Sequence, residues 1–367
     1  MFHAMMTDQD YMRKALQLAK KGERFVSPNP MVGSVIVKHG RIIAEGYHER
    51  CGANHAEINA IENASESVDG STVYVNLEPC VHWGRTSPCT AALISHHVAR
   101  VVIGAVDPNP IVSGRGIKEL RRNSIQTTVG VLANECERLN ERFYKFMRTG
   151  IPFVTLKFAQ TLDGRIATST GHSSWISSPP SLQFAHHLRS IHDAVLVGVG
   201  TVMADDPDLT VRLIKGRNPL RVIVAGRHSI PLKSKVLQNQ DKAKTIIATA
   251  KSTSPKVINR MGKMGIETLR IIEKSDHLLD LRKLLRALGK RGITSILIEG
   301  GSMLITSIMR ERLADRVIVI LAPKFVGRGV DAVGELGIKT MDDALQLQLL
   351  KISHRGGDII FDGRLEG

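Results

Sequence analysis

Residues 55–98 read HAEINAIENASESVDGSTVYVNLEPCVHWGRTSPCTAALISHHV. The segments 55–64 and 90–98 have the pattern of helices, and STVYVNL at 71–77 is a short run rich in β-branched residues. Helix, strand and helix in this order are typical of α/β folds that cover both faces of a sheet with helices. The stretch therefore predicts a three-layer α/β sandwich for the first half of the chain.

The same stretch carries three potential metal ligands and one carboxylate. One residue separates His55 from Glu57, and eight residues separate Cys80 from Cys89. A tetrahedral Zn²⁺ held by three protein ligands keeps its fourth position for water and lowers the pKa of that water to about 7. A carboxylate that does not bind the metal can then move a proton from the water to a substrate. The pattern predicts a catalytic zinc site with Glu57 as the acid/base.

The predicted ligands lie at the starts of helices. His55 and Glu57 open one helix, and Ser87-Pro88 predicts the N-cap and first residue of another near Cys89. The helix dipole there favours thiolates. One alternative is a closed structural site with Cys51 as the fourth ligand, which leaves the carboxylate without a role. The spacing of the cysteines also departs from the P-C-x-x-C signature of nucleobase deaminases.

Outward from this stretch, the first half continues the alternation. A helix capped at Thr7 places its apolar residues at helical spacing before Gly22, and further strands are predicted at 31–37, 41–47 and 100–106. A long helix from Leu132 to Gly150 follows, in which Cys136 is expected to be a packed small residue. Pro152 comes directly afterwards and favours extended backbone before it. We therefore predict two domains, residues 1–149 and 150–367.

The second half predicts another α/β sheet, with strands at 152–159, 193–199, 221–226, 245–250, 295–301 and 316–322. The run from Gly198 to Met203 lacks the third glycine of a dinucleotide-binding fingerprint. A better phosphate site is Glu299-Gly300-Gly301-Ser302, which follows a strand and opens a helix. A turn that binds no ligand is the alternative for this segment.

Length and composition bound the remaining possibilities. The 367 residues are 43% hydrophobic and 23% charged, which is ordinary for a globular protein and excludes disordered and collagen-like classes. No apolar run reaches the roughly 18 residues of a membrane helix, the start lacks a secretory signal, and four cysteines are too few for a disulfide scaffold. We expect a cytoplasmic protein.

The net charge of +15 is concentrated in the second half. Residues 1–149 hold 18 Lys and Arg against 15 Asp and Glu, a net of +3, so residues 150–367 hold the remaining +12. The basic residues are scattered and few aromatic residues lie among them. Small phosphorylated ligands therefore fit at least as well as nucleic acid, and a solvated basic surface is the third reading.

Several longer motifs identify a family. The chain resembles the bifunctional riboflavin-biosynthesis enzymes, which fuse a pyrimidine deaminase to a 5-amino-6-(5-phosphoribosylamino)uracil reductase. The first half is similar in SPNPMVGSVIV (27–37), EGYHERCGANHAEINAI (45–61), VYVNLEPCVHWGRTSPC (73–89) and GAVDPNPIVSGRG (104–116). The second half is similar in LKFAQTLDGRIATSTGHSSWIS (156–177), LRSIHDAVLVGVGTVMADDPDLTVR (188–212), IEGGS (298–302) and LAPKFVG (321–327).

The resemblance implies a cytidine-deaminase-like α/β/α sandwich followed by a dihydrofolate-reductase-like α/β domain. It implies zinc held by His55, Cys80 and Cys89, with Glu57 as the catalytic acid/base. It implies NADPH contacts at Ala159, Trp175, Thr201, Asp205, Gly301, Ser302, Met303, Leu304 and Ile305. It implies substrate contacts at Ser173, Arg189, Leu209, Arg212 and Glu299, of which the two arginines suit a phosphate clamp.

Two further sets of residues are suggested near the sites. Asn29 in a proline-rich turn is able to read a pyrimidine edge, and His82, Arg85 and Thr86 lie between the cysteines, within possible reach of a phosphoribosyl group. Each of these is as easily explained by loop structure. After the strand RVIV, where the family usually has an Asp-Ser-like pair and later an Arg, this chain has Ala225-Gly226 and Ser229. Arg227, His228 or Lys233 is then the substitute for binding a 2′-phosphate.

The predicted activity is deamination of 2,5-diamino-6-(5-phosphoribosylamino)pyrimidin-4(3H)-one, followed by NADPH-dependent reduction of the ribosyl side chain to ribityl. Partners would be small phosphorylated pyrimidines, with no nucleic acid or membrane, and a homo-oligomer stays open. Two rival functions are weighed. One is a nucleic-acid-editing zinc deaminase with a basic RNA-binding second domain, and the other gives the second domain a role as a non-catalytic nucleotide sensor.

Overall fold

The structure is a computed structural model that describes residues 6–83, 87–174, 176–274 and 277–365. The chain divides into two compact units, Met1–Gly150 and Ile151–Gly367. Within the described residues, no helix is long and apolar enough to cross a membrane.

The first unit alternates helices and strands. Its elements are α1 (Asp8–Ala19), β1 (Gly33–Lys38), β2 (Arg41–Tyr47), α2 (Ala56–Glu62), β3 (Thr72–Leu77), α3 (Cys89–Ser95), β4 (Arg100–Ala105), α4 (Arg115–Arg122), β5 (Gln126–Val129), α5 (Ala133–Leu139) and α6 (Glu141–Thr149). The sheet order is β2-β1-β3-β4-β5, in which β1 is antiparallel to β2 and β3 and the remaining pairs are parallel. Sequence analysis had not predicted α4 and β5.

Alternate residues of the strands pack on opposite faces of this sheet. Val35 and Tyr74 belong to one apolar cluster with residues of α1, α5 and α6. Ile36 and Val75 belong to a second cluster with residues of α2, α3 and α4. Because successive side chains of a strand point to opposite faces, both faces of the sheet are buried under helices. The predicted three-layer sandwich is confirmed.

The first helix begins as the sequence predicts. The Thr7 hydroxyl accepts a hydrogen bond from the backbone N–H of Asp10, and the Asp10 carboxylate accepts one from the backbone N–H of Thr7. This reciprocal capping box satisfies donors that the first turn of a helix leaves without partners. The periodic residues Tyr11, Met12 and Ala15 are buried.

The single long helix predicted for 132–150 is wrong, because the segment forms α5 and α6 with a break at Asn140. Asn140 is buried, and its side chain forms two hydrogen bonds with Met31, one to the backbone N–H at 2.8 Å and one to the carbonyl at 2.9 Å. Asparagine tolerates non-helical backbone and forms such local caps. The second part ends as expected, with Gly150 at φ 65°.

Two other boundaries differ from prediction. The N-cap of α3 is Pro88 rather than Ser87, so Cys89 is the first helical residue. The strand predicted for 295–301 ends at Glu299, because Gly300 and Gly301 adopt φ 82° and 84°. Positive φ is open to glycine and breaks the strand at the point where the chain turns into the next helix.

The second unit holds a larger mixed sheet. Its elements are β6 (Phe153–Thr161), β7 (Arg165–Thr168), α7 (Pro179–Ile191), β8 (Ala194–Gly198), α8 (Val199–Asp205), β9 (Leu220–Gly226), β10 (Thr245–Ala250), α9 (Pro255–Lys263), β11 (Glu267–Ile271), α10 (Leu281–Gly289), β12 (Ser295–Glu299), α11 (Ser302–Arg310), β13 (Arg316–Ala322), β14 (Gly329–Asp331), β15 (Leu347–Arg355) and β16 (Asp358–Leu365). The large sheet has the order β11-β10-β9-β8-β12-β6-β13-β16-β15, and β7 pairs separately with β14.

The strands from β11 to β13 are parallel, and β16 and β15 continue the sheet antiparallel. Central β12 shows why the sheet needs cover on both faces, since Ile296, Leu297 and Ile298 in succession are fully buried. The carboxyl ends of β12, β8, β9 and β10 follow one another along one edge. Ligands of open α/β sheets bind outside that edge.

Candidate functional sites

In the first unit, three predicted ligands meet at one point. The ligand atoms of His55, Cys80 and Cys89 all lie within 4.8 Å of one another. Nδ1 of His55 is 3.2 Å from Sγ of Cys89 and 3.5 Å from Sγ of Cys80. With Zn–N near 2.0 Å and Zn–S near 2.3 Å, a tetrahedral ion places its N and S ligands about 3.5 Å apart. One imidazole and two sulfurs at this separation fit Zn²⁺.

The fold brings the ligands together from three places in the chain. His55 is the N-cap of α2, Cys80 follows the end of β3, and Cys89 opens α3. The two cysteines are locked to each other, because the backbone N–H of Cys89 donates to Sγ of Cys80 at 3.4 Å and Thr90 Oγ1 donates to the carbonyl of Cys80 at 3.1 Å. The two ends of the eight-residue loop between the cysteines are therefore held together.

The two thiols differ in their readiness to ionise. A hydrogen bond from the Cys89 thiol lowers the pKa of Cys80 to about 4, with a further contribution from His55. The same hydrogen bond and burial raise the pKa of the Cys89 thiol. The Cys89 thiol is therefore the harder of the two to ionise. Binding of a cation by both sulfurs must release a proton.

Glu57 lies beside this cluster without being one of its three members. Its side chain is 3% exposed and lies near enough to His55 and Cys89 for both to influence the pKa of its carboxyl. Burial raises the pKa of the carboxyl, and the nearby His55 partly opposes that shift. A buried carboxyl group next to the metal ligands is able to hold or release a proton there.

Sequence analysis missed His48, which is buried next to the cluster. Its ring lies edge-on to that of His55, with centroids 5.4 Å apart. Nδ1 lies 2.9 Å from the carbonyl of Asn54, and Nε2 lies 3.0 Å from the amide nitrogen of Asn29. Burial lowers the pKa of His48, and a neutral ring that donates from Nδ1 and accepts at Nε2 satisfies both contacts. The predicted Asn29 is therefore oriented at the edge of the metal cluster.

Sequence analysis also missed Glu78, which fixes the loop next to the residues that carry Cys80. Its carboxylate is buried and accepts hydrogen bonds from the backbone N–H groups of Asp107, Gly114, Gly116 and Ile117 at 2.9 to 3.2 Å. A Cβ at Gly116 would lie 2.2 Å from the carbonyl oxygen of Pro79. The loop after β4 is therefore clamped against the residues that carry Cys80. The only sign of Glu78 in the sequence was an acidic residue between the end of a predicted strand and Pro79.

Other predicted residues of the first unit lie apart from the metal cluster. Cys51 is exposed and is not a member of the cluster found among the described residues, and Cys136 is buried in the apolar core, as expected. His82 is exposed. Arg85 and Thr86 lie outside the described residues.

In the second unit, a cavity of about 720 Å³ opens at the carboxyl edge of the sheet. It is bounded by the ends of β8, β9 and β12 and by the starts of α8 and α11. Seven of the residues expected to bind cofactor or substrate line it: Ser173, Thr201, Asp205, Gly301, Ser302, Met303 and Leu304. Ser173 Oγ donates to the Asp205 carboxylate at 2.9 Å.

The turn between β12 and α11 suits a phosphate. Gly300 and Gly301 have positive φ, and Ser302 begins the nine-residue helix α11. A Cβ at Gly301 would lie 2.9 Å from Oγ1 of Thr201, so only glycine allows this approach of β12 to α8. The first N–H groups of a helix need partners and attract anions. The turn therefore fits the pyrophosphate of a dinucleotide.

Not every expected contact reaches the cavity. Ile305 is fully buried in the main core, Leu209 is 2% exposed in a neighbouring apolar cluster, and Ala159 packs on a third cluster. None of these three is among the residues that line the cavity, and the same is true of Arg189, Arg212 and Glu299. Trp175 lies outside the described residues.

Arg189 and Glu299 form an ion pair rather than presenting a free guanidinium. Nε of Arg189 is 2.6 Å from Oε1, and Nη2 is 2.9 Å from Oε2. Nη1 donates to the carbonyl of Thr210 at 3.2 Å, and Nζ of Lys157 lies 3.9 Å from Glu299. Sequence analysis had not singled out Lys157, whose burial lowers its pKa. Its only sequence signal was a single charged residue within the apolar strand β6.

Arg212 is placed differently from Arg189. Its side chain is exposed, and its backbone N–H donates to Nδ1 of the buried His186 at 3.0 Å. The positive charges of Arg189 and Arg212 both lower the pKa of His186, so the two arginines face a common region. The predicted clamp therefore has one arginine already paired with a carboxylate and one exposed.

The segment that departs from the family pattern also reaches the cavity. Ala225, Gly226, Arg227 and His228 line it, and Lys233 does not. The Arg227 guanidinium lies 2.7 Å from the carboxylate of Glu273. Of the three proposed substitutes for a 2′-phosphate ligand, Arg227 and His228 are thus at the right edge of the sheet.

Comparisons with known proteins match each half of the chain separately. The family model for the cytidine and deoxycytidylate deaminase zinc-binding region matches residues 5–105. The family model for the RibD C-terminal domain matches residues 152–361, which is more than half of the chain. The first range includes all three clustered ligands, and the second includes the whole of the large cavity.

Curated relatives match over almost the full length. The chain is 42% identical over 354 residues to the riboflavin biosynthesis protein RibD of Aquifex aeolicus, covering 96% of this chain and 97% of that protein. It is 40% identical over 368 residues to RibD of Escherichia coli K12, covering 96% and 98%.

Solved structures agree over the same length. Acinetobacter baumannii RibD has a TM-score of 0.89 at 36% identity and covers 98% of this chain and 99% of that one. A diaminohydroxyphosphoribosylaminopyrimidine deaminase/5-amino-6-(5-phosphoribosylamino)uracil reductase from Thermotoga maritima has a TM-score of 0.86 at 37% identity, with the same coverage. Each half of this chain is therefore similar to the corresponding half of a protein whose name gives it two activities.

Proposed function

The chain belongs to the RibD family of bifunctional riboflavin-biosynthesis enzymes, and on that premise we propose how its own residues divide the two reactions. Its first half has a cytidine-deaminase-like fold, and its second half is a reductase domain of dihydrofolate-reductase-like fold. The cofactors of the family are Zn²⁺ and NADPH. A nucleic-acid-editing function finds no support in relatives that match along both domains.

The deaminase assignment rests on one observation, the convergence of His55, Cys80 and Cys89 beside the buried Glu57. Zn²⁺ bound by these three ligands supplies a Lewis acid that makes water nucleophilic near neutral pH. Glu57 takes one proton from the attacking water and delivers it to a ring nitrogen, and it then moves the second proton from the new hydroxyl group to the leaving amino group. A C–O bond forms, the exocyclic C–N bond breaks and ammonia leaves.

The surroundings of this site position the pyrimidine. The side-chain amide nitrogen of Asn29 donates to Nε2 of His48, which orients the amide toward the cluster edge. Glu78 holds the loop after β4 by four backbone hydrogen bonds, so that loop keeps its place when substrate enters. A preorganised polar wall of this kind lowers the entropy cost of orienting a substrate.

The reductase assignment rests on the large cavity at the carboxyl edge of the second sheet. NADPH bound there supplies the hydride for reduction of the ribosyl side chain. We assign its binding to Ala159, Trp175, Thr201, Asp205, Gly301, Ser302, Met303, Leu304 and Ile305. Met303 and Leu304 follow the turn that suits the pyrophosphate, whereas Ala159 and Ile305 do not line the cavity and are assigned from the family resemblance.

We assign the phosphorylated substrate to Ser173, Arg189, Leu209, Arg212 and Glu299. The ion pair of Arg189 with Glu299 gives the carboxylate a fixed direction, and the exposed Arg212 offers its guanidinium to the phosphate. Lys157 lies within 3.9 Å of the same carboxylate and keeps a proton donor in this polar group.

The remaining assignments are the division into residues 1–149 and 150–367, the cytoplasmic location, and small phosphorylated pyrimidines as the partners in place of nucleic acid or membrane. The compact units Met1–Gly150 and Ile151–Gly367 support the division.

A coupled assay tests the proposal on the intact protein. The zinc-loaded chain receives the diaminopyrimidine phosphate and NADPH, and ammonia release and loss of reduced cofactor are followed together. We expect ammonia first and cofactor oxidation afterwards, in equal amounts. Ammonia release without any oxidation of NADPH would favour the nucleotide-sensor reading of the second domain, and absence of both would overturn the proposed activities.

A further inference from the structure

A second cavity of about 400 Å³ lies next to the large one in the second unit. It is formed by the segment after β9, by β10 with the turn after it, and by one side of α9. The residues that line it are Arg227, His228, Ser229, Ile230, Leu232, Ile247, Thr249, Ser252, Thr253, Ser254, Val257, Arg260 and Met261. None of the functions assigned above uses this cavity.

The polar part of its wall has the chemistry of an anion site. Two arginines and a histidine line the cavity together with five hydroxyl side chains, and no carboxylate is among the lining residues. Guanidinium groups and hydroxyls are the side chains that most often donate to phosphate oxygens. Arg227 already pairs with Glu273, whereas none of the described residues forms an ion pair with Arg260. Arg260 is therefore the cation best able to accept a new anion.

Two of the hydroxyl groups that line the cavity lack hydrogen-bond partners among the described residues. Thr249 is 4% exposed, and its buried Oγ1 has no hydrogen-bond partner among the described residues. Oγ1 of Thr253 is also buried without a partner there. A buried hydroxyl without a partner costs free energy, and such groups are rare in folded proteins. Both residues line this one cavity, so a bound acceptor would relieve them together after rotation of their hydroxyls.

The order of the strands connects this cavity to the dinucleotide. Along the carboxyl edge, β12 with the glycine turn is followed by β8, then β9, then β10. The large cavity spans β12 to β9, and the second cavity continues from β9 to β10. Arg227 and His228 line both, so the two cavities share a wall. For a dinucleotide with its pyrophosphate at Gly301, this shared wall is where the adenosine half would enter the second cavity.

We propose that the second cavity binds a phosphomonoester, the 2′-phosphate of NADPH, through Arg260 and the hydroxyls of Thr249, Thr253 and Ser254. The inference rests on the proposed reductase function and adds a specificity site to it. Ala225-Gly226 at the end of β9 offers no polar side chain for this purpose. The chain therefore reads the phosphate one strand further along the sheet, from β10 and α9.

This location predicts a preference that depends on one charge. NADH lacks the 2′-phosphate, so it gains nothing from Arg260. The test compares the Michaelis constants of NADPH and NADH in the reduction step for wild type, Arg260→Gln and Thr249→Val. Lys256→Gln is the matched control, since Lys256 lies on the same helix but does not line the cavity.

We expect Arg260→Gln to raise the KM for NADPH about tenfold or more and to leave the KM for NADH unchanged, because a charge-assisted contact is lost. Thr249→Val is nearly isosteric and removes a hydroxyl without a partner, so the melting temperature should hold while the KM for NADPH rises. The control should behave as wild type. An unchanged ratio of the two KM values in the folded Arg260 variant would overturn the proposed site.

Binding measurements separate this site from the reductase activity and from free phosphate. Calorimetry on the full-length protein uses adenosine 2′,5′-bisphosphate, 5′-AMP and inorganic phosphate, and none requires turnover. We expect only the bisphosphate to bind more weakly to Arg260→Gln than to wild type. If inorganic phosphate alone shows that dependence, the cavity takes a free anion and the cofactor assignment is wrong. If wild type binds the bisphosphate as expected but never oxidises NADPH, the proposed reductase function fails while the site stands.

Discussion

Arg189 and Glu299 are 110 residues apart in sequence and form a bidentate ion pair, with Nε–Oε1 and Nη2–Oε2 distances of 2.6 and 2.9 Å. Their side chains are 12% and 10% exposed. Arg189 comes from α7 and Glu299 from the end of β12, so the pair joins a helix to the centre of the parallel sheet. Loss of Arg189 and loss of Arg212, the two arginines assigned to the phosphate, should therefore differ in their effect on stability.

Arg189→Ala should destabilise the second unit, whereas Arg212→Ala should not. Removing Arg189 takes away the nearest partner of the buried Glu299 and leaves Lys157, 3.9 Å away, to offset its charge, so the expected loss is about 3 kcal/mol in the free energy of unfolding. Arg212 is exposed, so its loss should appear in substrate affinity, as a KM raised about tenfold or more. Denaturant unfolding and steady-state kinetics of both variants check this. A normal KM in Arg212→Ala would show that this arginine does not hold the phosphate.

Acid should weaken the second unit in two pH ranges. Burial, with the charges of Arg189 and Arg212, lowers the pKa of His186 from 6.5 to about 4, so between these values the unfolded state binds a proton that the folded state does not, and stability falls as pH falls from 6.5 to 4. Burial alone would raise the pKa of Glu299, but Arg189 and Lys157 lower it from 4.5 to about 2, so its contribution is lost between pH 4.5 and 2.

Urea unfolding midpoints as a function of pH measure both contributions. His186→Asn should reduce the pH dependence between 6.5 and 4 and leave the lower range as in wild type. As far as these two groups determine it, the urea midpoint of the wild-type protein should be highest above pH 6.5. A variant with an unaltered slope between 6.5 and 4 would mean that His186 does not titrate as its surroundings indicate.

Glu57→Gln should retain zinc near one ion per chain and lose ammonia release by a factor of about 100 or more, because the ligands remain while proton transfer is removed. Metal analysis and an ammonia assay on the same sample decide. Loss of zinc in this variant would make Glu57 a ligand rather than an acid/base.

Cys51→Ser is the control for the closed-site alternative. Since Cys51 is exposed and lies outside the clustered ligands, its replacement should leave zinc content and deamination near wild type. Zinc loss from this variant would revive a four-ligand structural site.

The two chemistries should separate by mutation. Cys80→Ser removes a metal ligand of the first unit, and the metal cluster found among the described residues has no member from the second unit. The variant should fail to deaminate but reduce the deaminated intermediate, supplied with NADPH, at a KM near wild type. A reductase KM shifted strongly in this variant would show that reduction depends on an intact zinc site.

Local patterns were enough for much of the fold. The helix from Asp8 was predictable because its cap and its apolar period lie within one short window, and the same holds for strands such as Arg41–Tyr47 and Thr245–Ala250. The break at Asn140 was not predictable, because its cause is a pair of hydrogen bonds to Met31, a residue 109 positions away. The apolar spacing of a helix is a local pattern and carries no information about hydrogen-bond partners from distant parts of the chain.

The sequence by itself determined the chemistry of the first site, because a histidine, two cysteines and a carboxylate offer few alternatives to a metal centre. Only the tertiary structure decided their separations, the burial of His48 and Glu78 around them, and the pairing of Arg189 with Glu299. Only the tertiary structure also placed Arg260 and Thr249 in one cavity with Arg227. These relationships depend on which strand ends share an edge of the sheet, and strand order is set by packing of the whole chain rather than by neighbouring residues.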